Sequence, residues 1–306
     1  MTEKNESVTA EARQILEGIS TIAAERRREA QPALDRVLPK WLLEVIQTEV
    51  VYTMNPRTFP LRVAAFSALT DLLKEKYSVS FARPTKNAAF SRTDITDQDI
   101  GNALIRSDEG IRFENGRFMR TATDFDVIRS ININYETIHV IVQGVREIAE
   151  LIVADVAEMV WAAAGAQKRW NDIRNGIQLI GYGTATQVDL GVPFEHCLSP
   201  AVQWFCQNQL LDGEKYALET GRRSVRHQFA VSPTLNGIWA LDEVTINLFL
   251  FDQRTGRSET TRLNIGVTTR DSAGTGIVRI YSELPFNKHL ECIAALREAI
   301  AHERAV

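Results

Sequence analysis

The chain has 306 residues, of which 44% are hydrophobic and 24% charged, a balance that excludes a disordered chain, a collagen-like repeat and a disulfide-dense secreted scaffold. Its net charge of −4 conceals opposed regions: residues 1–130 carry 19 basic and 19 acidic side chains, 131–221 carry 5 and 11, and 222–279 carry 8 and 5. An acidic middle followed by a basic segment suits head-to-tail contact between copies of one chain.

A membrane-spanning helix needs about 20 consecutive apolar residues. The most hydrophobic long segment, Ile138 to Ala164, is interrupted by Arg146, Glu147, Glu150, Asp155 and Glu158, so no membrane span is predicted. Residues Met1 to Ala10 are polar and acidic, where a secretory signal would place a basic start and an apolar run. Three cysteines, Cys197, Cys206 and Cys292, stand at irregular spacing and read as reduced thiols. The expected location is cytoplasmic.

Taken in order, the first 77 residues read as three helices. Ala12, Ile15, Leu16, Ile19, Ile22 and Ala23 recur at helical spacing within Val8 to Ala30, and Pro32 closes the pattern. A second helix is predicted from Pro39 or Lys40 to Tyr52, with Trp41, Leu42, Val45, Ile46 and Val50 inward. A third runs from Pro60 to Lys76, with proline in the first turn.

Ser78 to Phe81 then alternates like a short strand, and Arg83 to Ser91 reads as a loop. Thr96 followed by Asp99 resembles a capping box opening a helix with Ile100, Ala103, Leu104 and Ile105 inward. Ile111 to Arg120 carries Asn115-Gly116 at its middle, the strongest short-range hairpin signal. Helix, strand, helix, hairpin is the order of a winged helix, which would set Arg112, Arg117 and Arg120 against phosphates. Asp97 and Asp99 at the start of the supposed recognition helix would repel the same backbone, so a packing module is the stronger reading.

From Tyr135 to Ala164 an apolar stripe with helical period predicts a helix of about 30 residues, either a central strut or the seam of a homo-oligomer. Beyond it the text turns strand-like. Ile177 to Ile180 and Thr186 to Leu190 flank a turn at Gly181-Tyr182-Gly183-Thr184, and a helix is predicted near Ala201 to Leu211. Strands are then expected at Val225 to Val231, Ile238 to Leu241, Val244 to Phe251, Thr260 to Thr269 and Ile277 to Tyr281, before a last helix capped by Asn287. Alternation of Leu263, Ile265 and Val267 with Arg262, Asn264 and Gly266 gives this sheet one wet side.

The expected fold class is therefore α+β. It has a helical N-terminal half with a winged-helix-like hairpin module, a long central helix, and a C-terminal antiparallel sheet closed by a terminal helix. The expected domains are 1–130, mainly helical, and 131–306, the long helix with the sheet.

There is no Gly-x4-Gly-Lys-Ser/Thr string, and Gly181-x-Gly183 lacks the third glycine of a dinucleotide loop. Glu195-His196-Cys197 with Cys206 lacks the short cysteine spacing of a zinc site. No metal, no cofactor and no catalytic residue is assigned, and an enzyme is the lesser expectation, in one version with a site converging on His196, Cys197 and His227. The remaining constellation is Arg222, Arg223 and Arg226, which run into a strand and suit phosphate or carboxylate. With Arg112, Arg117 and Arg120 they form the candidate anion or nucleic-acid-binding set. The leading reading is a non-catalytic, self-assembling structural, scaffold or adaptor protein, a homo-oligomer or subunit of a protein complex. Nucleic-acid binding is the alternative.

Overall fold

The computed structural model describes residues 24–32, 34, 37–84, 95–192, 216–220, 225–233, 239–252, 257–267 and 276–305. Two compact units emerge, one formed by residues 1–36 with 48–182 and the other by 37–47 with 183–306. Neither is a single stretch of chain.

Antiparallel sheet dominates both, and the expected helical N-terminal half with a long central helix is not what forms. The segment expected as the second helix is strand β1 (Leu42–Met54). Val45, Ile46, Thr48, Val50, Val51 and Thr53 are β-branched, and a side chain stiff at χ1 prefers a pleated surface to a helix. Thr48, Val50, Tyr52 and Met54 point inward at a period of two.

In the first unit, α1 (24–32) covers the end of the predicted first helix, most of which lies outside the described residues. A 3-10 turn (Leu61–Val63) and α2 (Phe66–Tyr77) replace the predicted third helix. The short strand β2 (Ser80–Phe81) and α3 (Asp97–Arg106) follow as expected, and Thr96 accepts a hydrogen bond from the Asp99 N–H as N-cap. Residues 85–94 of the expected loop lie outside the described residues.

The Asn115-Gly116 hairpin is not there, and with it goes the winged-helix module. Strand β3 (Ile111–Met119) runs straight through, paired along its length with β4 (Phe125–Ile133). Asn115 does take the left-handed conformation, φ 59°, that the turn would have needed. Here it shifts the pleat, so that Ile111 and Phe113 before it and Gly116 and Phe118 after it are all buried. Opposite, β4 carries Arg129 as an extra residue against β5 (Thr137–Gln143) and changes phase at the same place. Gly116 is small because it must be: a Cβ there would stand 2.4 Å from Val79 Cγ1. The turn falls instead at Arg120 to Asp124, where the Arg120 and Thr121 N–H groups donate to Asp124 O.

The predicted 30-residue helix divides in the same way. Ile138, Val140 and Val142 are fully buried inward positions of β5, the chain turns at Gly144-Val145, and helix α4 (Arg146–Ala163) begins afterwards. Gly144 marks a close approach, since a Cβ would lie 2.9 Å from Asp126 Oδ1. In this unit the strands neighbour one another in the order β2-β3-β4-β5-β1-β6. Helix α4 packs on β5 and against α2 and is buried nearly all round, so the core lies between the inner sheet face, α4 and α2.

In the second unit the order from β6 is β6-β11-β10-β9-β8-β7. Strand β6 (Ile177–Asp189) is continuous, so Gly181 to Thr184 are strand residues and not a turn. Strand β7 (Tyr216–Thr220) carried no sequence expectation. Strand β8 (Val225–Pro233) lies where expected, and β9 (Trp239–Asp252) joins two predicted strands into one. Strands β10 (Arg257–Val267) and β11 (Ile277–Ser282) and helix α6 (Phe286–Ala305) complete the unit. Leu263 and Ile265 are buried while Arg262 is exposed, the wet-sided alternation read from the sequence. Asn287 lies inside α6 and does not cap it. The helix expected at Ala201 to Leu211 lies outside the described residues. Among the described residues, no helix is long and apolar enough to cross a membrane.

Candidate functional site

Three places in the first unit gather polar and aromatic chemistry. The first is the β3–β4 hairpin, whose outward face carries Arg112 and Arg117 and whose turn carries Arg120. Arg112 Nε lies 2.6 Å from Glu114 Oε1. The Arg117 guanidinium stands 4.8 Å from the Phe125 ring centroid. Arg120 grips Asp126 through Nε and Nη2, at 2.5 and 2.6 Å. Burial pushes the Asp126 carboxyl up from its ordinary range, against the downward pull of the Arg120 hydrogen bond and charge. Arg27 of α1 donates to the Met119 and Arg120 carbonyls and lies over the Phe118 ring. Arg27 thus ties α1 to the carbonyls at the end of β3 and at the start of the turn that follows it.

Of the rest of the predicted anion set, only Arg226 is among the described residues, and it belongs to the second unit. Arg222 and Arg223 lie outside the described residues, as do His196, Cys197 and Cys206. Arg226 takes its place in β8 opposite Glu219 and Asn247, and His227 opposite Leu218 and Ile246. Cys292 in α6 is a free, half-buried thiol whose pKa burial pushes up. Among the described residues no three His, Cys, Asp or Glu side chains come together as a metal site.

The second place is a closed ion-pair cluster on α4. Asp155 and Glu158 are 3% exposed, an environment where an unpaired charge is very costly. Arg26 supplies both: Nη1 and Nη2 reach Glu158 at 2.7 and 2.9 Å, and Nη2 reaches Asp155 at 2.6 Å. Burial alone would lower the Arg26 pKa, but the hydrogen bonds and charges of the two carboxylates outweigh it and the net shift is upward. Lys76 Nζ and the Tyr77 hydroxyl each stand 2.6 Å from Asp155 Oδ2. The Trp170 backbone N–H donates to Glu158 at 2.7 Å. Sequence reasoning missed the cluster because its members lie on α1, α2 and α4 and meet only once those helices are packed. The available signal was two acids three apart, Asp155 and Glu158, inside an apolar stripe.

The third place is an open cleft of about 590 Å³ beside the start of β6. Its floor is Tyr52 and Trp170, stacked at 5.7 Å with 21° between the planes. Trp170 opens the short helix α5 (Trp170–Ile173), and the following 3-10 turn (Arg174–Gly176) contributes Arg174 and Asn175. Behind Tyr52, Glu150 accepts from the Tyr182 hydroxyl at 3.4 Å and pairs with Arg146 at 3.2 Å. Burial first, then the Glu150 charge, holds the Tyr52 and Tyr182 hydroxyls above their usual range. Burial also raises the Glu150 carboxyl, with Arg146 opposing. Both phenols stay protonated, and the Tyr182 hydroxyl is the one that donates to Glu150.

Among the described residues of the second unit, one buried polar group stands out. His289 of α6 is fully buried, with Nε2 2.8 Å from Thr186 Oγ1 and Nδ1 2.8 Å from Ser282 Oγ. Burial lowers its pKa to about 4. A neutral imidazole has one donor and one acceptor nitrogen, which two hydroxyls satisfy completely.

Comparison with known proteins adds little. No family model matches the chain, and no curated protein matches it. Two solved structures align over 85% of it. One is the di-domain ARO/CYC StfQ from the steffimycin biosynthetic pathway, at 11% identity, 99% of that chain and a TM-score of 0.18. The other is the di-domain ARO/CYC BexL, at 8% identity, 93% of that chain and a TM-score of 0.17. Likenesses at these scores carry neither fold nor chemistry to this chain.

Proposed function

We propose that this is a non-catalytic cytoplasmic protein that assembles with copies of itself, as a scaffold or adaptor subunit. The observation that carries the reading is the outward face of β3 and β4. Met119 and Phe125 pair across the strands and Val127 pairs with Arg117. The three apolar side chains are 41%, 41% and 37% exposed. An outer sheet face that met only water would alternate to polar residues here. Exposed apolar groups gathered beside an arginine resemble the centre of an interface, where aromatics, Met and Arg are enriched.

The buried polar groups support the same reading. The Arg26 cluster and the His289 group bond internally, which befits structural roles more than chemistry on a substrate. Light scattering at micromolar concentration tests the proposal. The expected mass is a multiple of the chain's 34.4 kDa, falling toward one copy in Phe125→Glu. A strict monomer at all concentrations overturns it. The alternative, nucleic-acid binding, would instead give a salt-dependent shift of duplex or single-stranded probes, weakened by Arg117→Ala and by Arg222→Ala with Arg223→Ala.

A further inference from the structure

We infer that the cleft beside the start of β6 is a binding site for a small planar aromatic anion, a carboxylate or phosphate, with Trp170 as the stacking platform and Arg174 as the counter-charge.

The floor is built to stay in place. The Trp170 backbone N–H donates to buried Glu158 at 2.7 Å, which anchors the start of α5, and the ring itself is held by stacking on Tyr52. Tyr52 is 6% exposed and belongs to β1. Trp170 is half-buried, so the platform is anchored from below and open from above. A side chain already held in its binding rotamer loses little entropy when a ligand arrives.

The walls give the ligand its chemistry. Asn55 N–H donates to Gly176 O at 3.0 Å, which ties the turn bearing Arg174 and Asn175 to the end of β1. Leu179 is 66% exposed and Ile180 38%, placing apolar surface at the cleft where a strand facing only water would be polar. Of the side chains that line it, Arg174 carries the only formal charge, and no carboxylate is among them. An aromatic floor, aliphatic walls and one guanidinium fit a flat apolar body with a single anionic group, because the guanidinium fork matches carboxylate and phosphate alike. The volume lies within the range of small-molecule sites, about 300–1,000 Å³. This site is separate from the β3–β4 face, and its occupancy does not depend on assembly.

Calorimetric titration of the full chain with 2-naphthoate and naphthyl phosphate tests the inference, with 2-naphthamide as the neutral analogue and cyclohexanecarboxylate as the non-aromatic one. Both naphthyl anions are expected to bind at submillimolar concentration, and the two controls about tenfold more weakly, as loss of a charge-assisted bond or of stacking requires. Arg174→Gln, an exposed change, should weaken both anions about tenfold and leave the amide unchanged. Trp170→Leu should abolish binding of all the aromatic ligands, with far-UV circular dichroism checking that the variant folds. If it does not fold, Arg174→Gln with the amide comparison decides alone. A difference between naphthoate and naphthyl phosphate identifies which anion the site prefers. No binding at millimolar concentration, or equal affinity of naphthoate for wild type and Arg174→Gln, overturns the inference.

Discussion

Arg26 concentrates more consequence than any other single side chain described. It reaches both buried carboxylates of α4, and its side chain is 13% exposed. Removing it leaves Glu158 with the Trp170 N–H alone and Asp155 with Lys76 and Tyr77. Breaking one partner out of a buried ion pair costs about 3–5 kcal/mol, because the remaining charge is left desolvated. Arg26→Ala is therefore expected to lower the urea midpoint by an amount near the bottom of that range, the other donors relieving part of the loss. Arg26→Lys should recover only some of it, since an ammonium cannot fork between two carboxylates. A midpoint unchanged in Arg26→Ala would show that α1 contributes nothing to the unit.

His289 makes a second prediction, in pH. Its folded pKa is about 4, against about 6.5 for an exposed histidine. Between those values the unfolded chain binds more protons than the folded one, so stability rises with pH across that window. The contribution is complete above about pH 6.5, falls away as pH drops toward 4, and is level below; it totals about 3 kcal/mol. Carboxylates titrate in the same range, so the quantity to measure is the difference between wild type and His289→Gln in urea unfolding from pH 7.5 to 4. The wild type should lose more stability on acidification than the variant. Parallel curves would refute the assignment.

At the scale of elements, the sequence was clearest where one short signal decided one local geometry. Thr96 and Asp99 announced the start of α3, and the Thr96 hydroxyl does accept the Asp99 N–H at 3.2 Å; Thr96→Ala should cost about 1 kcal/mol in thermal unfolding. Asn115-Gly116 shows the opposite case. The signal for a left-handed residue was sound, yet turn and bulge both use that backbone, and only pairing with β4 separates them. Period was equally ambiguous in β1 and β5, where β-branched runs happened to repeat at three and four. In β5 the inward set 138, 140, 142 sat beside a real helix in α4 and lengthened its stripe. Gly116 gives the test of the bulge. Gly116→Ala must push Val79 Cγ1 away from 2.4 Å, and overpacking of this kind costs about 1–3 kcal/mol. Had Gly116 been a hairpin turn residue in solvent, alanine would have met no side chain, so a midpoint shift shared with Val79→Ala in a double-mutant cycle identifies the bulge.

At the scale of the whole chain, the division into units was the least legible feature. Composition and charge change near residues 130 and 221, but the compact units divide inside strands, with residues 37–47 belonging to the second unit and 48–54 of the same strand to the first. No composition shift marks such a boundary, because both sides of it are strand. The candidate cleft was hidden for a related reason, since Tyr52 and Trp170 are more than a hundred residues apart and meet only when β1 and α5 are placed. The N-terminal piece of the second unit is tied to it by specific contacts. Asp189 N–H donates to Trp41 O at 2.9 Å, the Arg297 guanidinium stands 5.6 Å from the Trp41 ring centroid, and Arg297 also donates to Asp189 O. A fragment of residues 183–306 lacks Trp41, so Asp189 loses an acceptor and Arg297 loses the ring it covers. That fragment is expected to show no cooperative urea transition by circular dichroism. In the full chain, Trp41→Ala should lower the stability of the second unit by about 1–2 kcal/mol, less than the truncation of a fully buried aromatic because Trp41 is half-buried. Hydrogen exchange separates the outcomes: protection should fall in β6, β11 and α6 and hold in β3 and β4. Uniform loss across both units would mean that residue 41 supports the first unit as well, and undiminished protection in β11 would mean that the second unit needs no part of β1.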